Sequence, residues 1–335
     1  MGSAFAILFV FIGCCSNVVF LELLVKEEPA SGNLITFCQF LFIAVMGFVF
    51  TMQMGTAKNM IPVKEYLTLV IFFFIVNVCN NVAFGFKISM PLHMIFRSGG
   101  LIANLVMAMV VLGRRYTVSK YLSVVLITFG TVMCTFASAD QVKDDEASDE
   151  ENSQNFITWI MGIALLTFAL FMSARMGIYQ ECLYKKHGKH AREALFFIHL
   201  LSLPGFLLSA RDIMSFAATF SESASLPALA TVPVISAIPK LWFYVICNTL
   251  TQYVCISSVF MLTSQVSSLT VTLVLTLRKF VSLMFSIIYF GNAFTLMHWM
   301  GTALVFGGTL IFTNVIVMPW ERETEKQLQK DKKLQ

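Results

Sequence analysis

Charge is what this chain has least of. Only 13% of its 335 residues are Asp, Glu, Lys or Arg, about half the share found in ordinary soluble domains. The few charges sit in short loops between apolar runs of about 20 residues, long enough to cross a ~30 Å hydrocarbon core. With a mean hydropathy of +0.78, the chain reads as an integral membrane protein with no room for a soluble domain. It also lacks HExxH, GxSxG, a Walker loop and any Cys/His ligand spacing. Enzyme chemistry, a cofactor, a bound metal and a nucleic-acid partner are therefore not expected. The eight cysteines (Cys14, Cys15, Cys38, Cys79, Cys134, Cys182, Cys247 and Cys255) lie in or at the ends of apolar runs. Lacking paired loop spacing, they are expected to be small helix hydrophobes, not a disulfide framework. The run from Ala4 to Val25 has no basic leader and no small-residue cleavage site, so it reads as a first span and not a removed signal.

What is present is a series of ten apolar runs, at about 4–25, 33–52, 66–87, 90–112, 117–138, 156–180, 193–211, 238–261, 264–290 and 293–317. An even number puts both termini on one side. With them in the cytoplasm, fourteen of the 23 Lys and Arg residues face it and five face away, while Arg97, Arg175, Arg278 and Lys279 lie inside spans. The positive-inside rule therefore orients both termini to the cytoplasm. The acidic run from Asp140 to Glu151 then falls on the far side, as a solvated linker over 139–155 between halves 1–138 and 156–317, with a tail at 318–335.

The halves share a pattern. Tyr116 to Phe136 aligns without gaps on Phe294 to Asn314, matching Thr117/Thr295, Leu126/Leu304, Gly130/Gly308, Thr131/Thr309 and Thr135/Thr313. Arg97 corresponds to Arg278 after a three-residue gap. Five spans separate the copies, so the second lies upside down relative to the first. The expected fold class is an all-α membrane protein of ten transmembrane helices in two inverted five-helix repeats, an architecture of alternating-access carriers with the site near the midplane.

Span 9 holds the central difficulty. Arg278 and Lys279 stand side by side halfway along it, with Thr272, Thr276, Ser282 and Ser286 within ~60° of Lys279 around the helix. Each mid-membrane cation is disfavoured by roughly 2.5–3.5 kcal/mol on insertion scales, so a compensating partner is needed. Span 4 begins at Pro91 and brings His93, Arg97 and Asn104 within ~40° of one another. Span 3 carries Asn77, Asn80 and Asn81, and span 8 carries Tyr244, Asn248, Thr251, Gln252 and Cys255. Scanning the spans for an acid finds Glu22 toward the far-side end of span 1 and Glu181 at a cytoplasmic helix end.

A bound anion is thus favoured over an ion-pair network. Arg presents a fork that suits phosphate oxygens, and Lys adds a mobile charge. Arg278 and Lys279 are ~100° apart around the helix, so both line one cavity only if it is wide, as a diphosphate ester requires. Asn80, Asn81, His93, Asn104, Tyr244, Asn248, Gln252, Thr276 and Ser282 are the candidates for base and sugar contacts. Unpaired cations in an empty site disfavour its reorientation, which points to exchange of one organic phosphate for another. A cation-exporting carrier would need a midplane carboxylate instead. Arg175 either snorkels to the interface or guides anions inward, and His199 and His298 read as packing residues.

Several motifs together, Asn80-Asn81, PLHMIFRS over 91–98, SARMG over 173–177, TQYVC over 251–255 and TLRKFVSL over 276–283, resemble the nucleotide-sugar transporters of the drug/metabolite transporter superfamily, in particular the subgroup for UDP-xylose and UDP-N-acetylglucosamine. The resemblance implies ten helices, inverted halves and exchange of cytosolic UDP-sugar for luminal UMP, with Arg97, Arg278 and Lys279 on the phosphates. It leaves GDP-fucose and self-association open. Lys332 and Lys333, fourth and third from the end, look like a dilysine retrieval signal read by coat machinery, which suggests the endoplasmic reticulum, with the Golgi as the alternative.

Overall fold

The computed structural model describes residues 3–86, 88–113, 116–140, 149–188, 190–225, 238–265 and 268–316. Most of the acidic run, and the tail with Lys332 and Lys333, lie outside the described residues. The helices are α1 Ser3–Glu27, α2 Gly32–Met46, α3 Val63–Ala83, α4 Met90–Ser98, α5 Gly100–Leu112, α6 Val118–Asp140, α7 Asp149–His187, α8 Ala191–Ser202, α9 Ala210–Glu222, α10 Lys240–Gln265, α11 Ser268–Phe290 and α12 Leu296–Phe312. Among the described residues there is no strand beyond one bridge between Ser225 and Pro239. Seven segments, covering α1 to α9, are long and apolar enough to cross a bilayer. Large side chains such as Leu208, Val110 and Ile288 point outward, as a lipid-facing surface requires. The chain is a multi-pass membrane protein.

Three boundaries differ from the sequence expectation. The fourth run is two helices, because the Gly99-Gly100 pair interrupts the ladder at Gly99, two residues after Arg97. The seventh run continues past 211: a 3-10 segment at Leu203–Ser209 leads into α9, which ends at Glu222. The acidic linker is shorter than 139–155, because α7 already begins at Asp149.

Helices pair across the sequence halves. The most extensive contacts join α1 to α10 and α6 to α12, followed by α3 to α7, then α5 to α7, α3 to α8, α1 to α11, α2 to α8 and α2 to α10. Small residues allow the closest approaches. A Cβ on Gly13 would lie 2.8 Å from the Cys255 backbone nitrogen, and one on Gly301 would lie 2.7 Å from the Gly130 carbonyl oxygen. Without a hydrophobic drive between helices in lipid, such close backbone contact supplies the attraction.

The α1–α10 contact also corrects the cysteine expectation. Cys14 and Cys255 form a disulfide across 241 residues of sequence, their Cα atoms 4.6 Å apart. Spacing could not show it, because the register of two distant helices brings these sulfurs together. Six cysteines remain free. Titrated in denaturant, unreduced protein is expected to expose six thiols and reduced protein eight; eight in both would contradict the bridge. Gly301→Leu is expected to lower thermal stability by about 1–3 kcal/mol through overpacking against α6, read as a drop in unfolding temperature.

Candidate functional site

The three midspan cations come together. Arg97 ends the last turn of α4 and Arg278 and Lys279 occupy the middle of α11, and α4 packs directly on α11. The charge of Arg97 acts on both Arg278 and Lys279, and Arg278 acts on Lys279. Arg97 and Lys279 keep solvent-accessible surface, although protein atoms surround both. Arg278 is half-buried, and its Nε is buried without a hydrogen-bond partner.

No acid compensates them among the described residues, where the ion pairs are Lys186 with Glu65, His187 with Glu65 and Lys240 with Glu27. Glu22 is 1% exposed and bound elsewhere: its Oε1 accepts from Asn292 Nδ2 at 2.7 Å. A second buried acid, Glu193 at the start of α8, escaped the sequence scan because it opens a span. Its carboxylate accepts from the backbone N–H of Met60 and Ile61 and from the Tyr66 hydroxyl, at 3.0–3.2 Å. It is thereby committed to the chain entering α3.

The polar candidates divide into two groups. Some are spent on holding helices. Asn81 Nδ2 donates to Thr36 Oγ1 at 2.7 Å and Asn80 Nδ2 to the Val76 carbonyl at 2.8 Å. Asn248, fully buried, donates to the Asn17 carbonyl at 3.0 Å and accepts from Gln39 Nε2 at 2.6 Å, while Asn17 returns a bond to the Asn248 carbonyl at 2.9 Å. Ser282 is buried and donates to Cys15 Sγ at 3.4 Å.

The others are not committed in this way, and one of them, His93, is within electrostatic reach of a cation, Arg97. His93 lies one turn before Arg97 on α4, buried against the Phe84 ring at 4.4 Å with its Nε2 unpartnered. Asn104 is solvent-accessible on α5 and faces Gly177 of α7, whose Cβ would lie 3.9 Å from Asn104 Oδ1. Tyr244 and Gln252 are half-buried on α10, with Tyr244 6.4 Å from the Phe20 ring. The Thr276 side chain lies outside the described residues. Arg175 is exposed on α7. His199 and His298 sit in packing contacts, His199 edge-on to Phe40 and His298 bonded to Thr295 and Ser138.

Sequence reading overlooked Cys15, Asn17, Gln39 and Asn292. Cys15 Sγ contacts both the Arg278 carbonyl, at 3.9 Å, and Ser282. Polar residues in the middle of apolar runs were the available signal for Asn17 and Gln39. Asn17→Leu is expected to destabilise by about 1–2 kcal/mol, because it removes one interhelical amide bond and its steric fit. Thermal unfolding checks this, and an unchanged midpoint would remove the network's structural role.

The profile of the UAA transporter family matches residues 2–316. The UDP-xylose and UDP-N-acetylglucosamine transporter of Danio rerio is 55% identical over 318 residues, covering 94% of this chain and 95% of that one. The endoplasmic reticulum GDP-fucose transporter of Drosophila melanogaster is 55% identical, covering 92% of this chain and 89% of that one. The human nucleotide sugar transporter SLC35B4 is 52% identical, covering 99% of each. One solved crystal structure covers 94% of this chain and 99% of its own at 11% identity and a TM-score of 0.50, a likeness of fold alone.

Proposed function

The chain belongs to the UAA transporter family and is a nucleotide-sugar transporter, and on that premise we propose that it exchanges cytosolic UDP-N-acetylglucosamine, UDP-xylose or both for luminal UMP by alternating access. The observation that carries this reading is the convergence of Arg97, Arg278 and Lys279 with no carboxylate among the described residues to neutralise them. Phosphate supplies the missing charge, since two guanidinium forks and an ammonium match the oxygens of a diphosphate ester. Each turnover needs an anion in the site because the empty site leaves like charges facing one another in a low dielectric. Exchange follows, with no ion gradient required.

Two inverted five-helix repeats, over 1–138 and 156–317, fit the helix pairing. Counting α4–α5 and α8–α9 as single spans, contacts between spans 1 and 8, 1 and 9 and 2 and 8 have counterparts between spans 6 and 3, 6 and 4 and 7 and 3. Two ion pairs obey the same exchange: Glu27 at the end of α1 meets Lys240 at the start of α10, and Lys186 at the end of α7 meets Glu65 at the start of α3, at 2.6 and 2.7 Å. Gly113 and Gly291, each three residues before its aligned segment, turn with φ of +61° and +62°. We place both termini in the cytoplasm by the positive-inside rule, in the endoplasmic reticulum or Golgi membrane, with Lys332 and Lys333 as retrieval residues.

The test is uptake of labelled UDP-N-acetylglucosamine and UDP-xylose into liposomes carrying purified protein. UMP-loaded vesicles are expected to accumulate label without a proton or sodium gradient, and empty ones are not. Arg97→Ala, Arg278→Ala and Lys279→Ala are each expected to reduce uptake efficiency roughly 10- to 100-fold, the worth of one charge-assisted hydrogen bond. Wild-type rates in these variants would overturn the phosphate assignment. A second reading, GDP-fucose as substrate, is favoured by the equally similar Drosophila relative; competition by GDP-fucose in the same assay decides it.

A further inference from the structure

The turn between α11 and α12 is held by α1, at the end of the bundle away from the chain termini. Asn292 Nδ2 reaches Glu22 Oε1 at 2.7 Å and the Ser286 hydroxyl and carbonyl oxygens at 3.1 Å. Asn292 thereby links Glu22 to the last turns of α11. One turn further along α1, Lys26 Nζ donates to the Phe290 carbonyl at 2.9 Å and sits 4.7 Å from the Phe290 ring. Gly291, between these two anchor points, has a φ of +62°. Two residues at the α11–α12 junction, Phe290 and Asn292, are thus clasped by two residues of α1.

This clasp differs in kind from the α1–α10 contact. That seam carries a disulfide, reciprocal Asn17–Asn248 bonds and a terminal ion pair along its length. The clasp is local, and it leaves Glu22 Oε2 buried without a partner. A buried carboxylate oxygen left unpaired weakens a contact, which is tolerable where the contact is made and broken in turnover. The clasp also lies where the bundle is drawn together. α4 packs on α11 and α12 at this end, whereas α5, beyond the Gly99 break, packs mainly on α7.

We propose that Glu22, acting through Asn292 and Ser286 and aided by Lys26 on Phe290, is a positioning residue that latches this end of the cavity shut, and that its release frees the end of α11 to part from α1 and α4. Arg278 and Lys279 ride on α11, so the latch governs how the clamp meets Arg97. The proposal rests on the transporter reading for its purpose but not for its test. Hydrogen–deuterium exchange is measured on the full-length protein in lipid nanodiscs, without nucleotide, for wild type, Glu22→Ala, Glu22→Gln and Asn292→Ala. Glu22→Ala and Asn292→Ala are expected to raise short-time uptake over 284–296 and 88–96 roughly threefold or more, and to leave 60–70 and 178–188 at the opposite end unchanged. Glu22→Gln, which keeps an acceptor for Asn292, is expected to show a smaller rise.

Unchanged uptake over 88–96 in folded Asn292→Ala would overturn the latch, as would an equal rise at both ends, which marks general loosening. If Glu22→Ala fails to fold, Asn292→Ala decides alone. Because no substrate is present, this outcome is independent of whether nucleotide sugars are carried.

Discussion

Positive charge held inside a membrane, with no matching acid among the described residues, is the constraint on which the structure depends. Arg97 and the Arg278–Lys279 pair come from different parts of the chain, yet α4 and α11 bring them within electrostatic reach of one another. Mutual repulsion and lost hydration both oppose that arrangement. The acids available in the bundle are engaged elsewhere, Glu22 with Asn292 and Glu193 with the chain entering α3. Under the proposed transport function, a phosphate anion supplies the charge that these acids do not.

Holding such a site open requires rigid rails, and α1 is the principal one. Along one side it is fastened to α10 by Gly13 against the Cys255 backbone, the Cys14–Cys255 bridge, the Asn17–Asn248 exchange and the Glu27–Lys240 pair. Toward α11 it presents Cys15 to the Arg278 turn and Glu22 and Lys26 to the α11–α12 junction. One helix therefore touches both the turn that carries Arg278 and the junction that follows α11. These ties cross the midpoint of the sequence, so its first and second halves are interlocked.

Much of this was legible before the structure. Long apolar runs have one stable solution in lipid, the helix, so the spans through α9 emerged with the right identity, and the cations stood out because nothing else in their runs is charged. The aligned Thr and Gly positions of α6 and α12 mark two helices that do pack together, with Gly130 and Gly301 at their closest contact. Less legible were features set by register between distant helices: the Cys14–Cys255 bridge, the reciprocal Asn17–Asn248 bonds and the Glu22–Asn292 contact each join residues more than 200 positions apart. Side-chain amides were visible as polar, but whether an Asn holds a helix or faces a ligand depends on packing. Asn248 and Asn81 turned out to be bonded to neighbouring helices, whereas Asn104 stayed solvent-accessible. The Gly99 break was hinted at by paired glycines, but its effect, sending α4 to α11 and α5 to α7, is a tertiary result.

If phosphate is the missing partner of Arg97, Arg278 and Lys279, ligands that differ only in phosphate must differ sharply in binding. The direct measurement is the thermal stability of the purified protein with uridine and with UMP at equal concentration. UMP at about 100 times its dissociation constant should stabilise the fold by about 2.7 kcal/mol, while uridine leaves the unfolding temperature unchanged and Arg278→Ala abolishes the UMP shift. Equal shifts with uridine and UMP, or a full UMP shift in Arg278→Ala, would contradict the account.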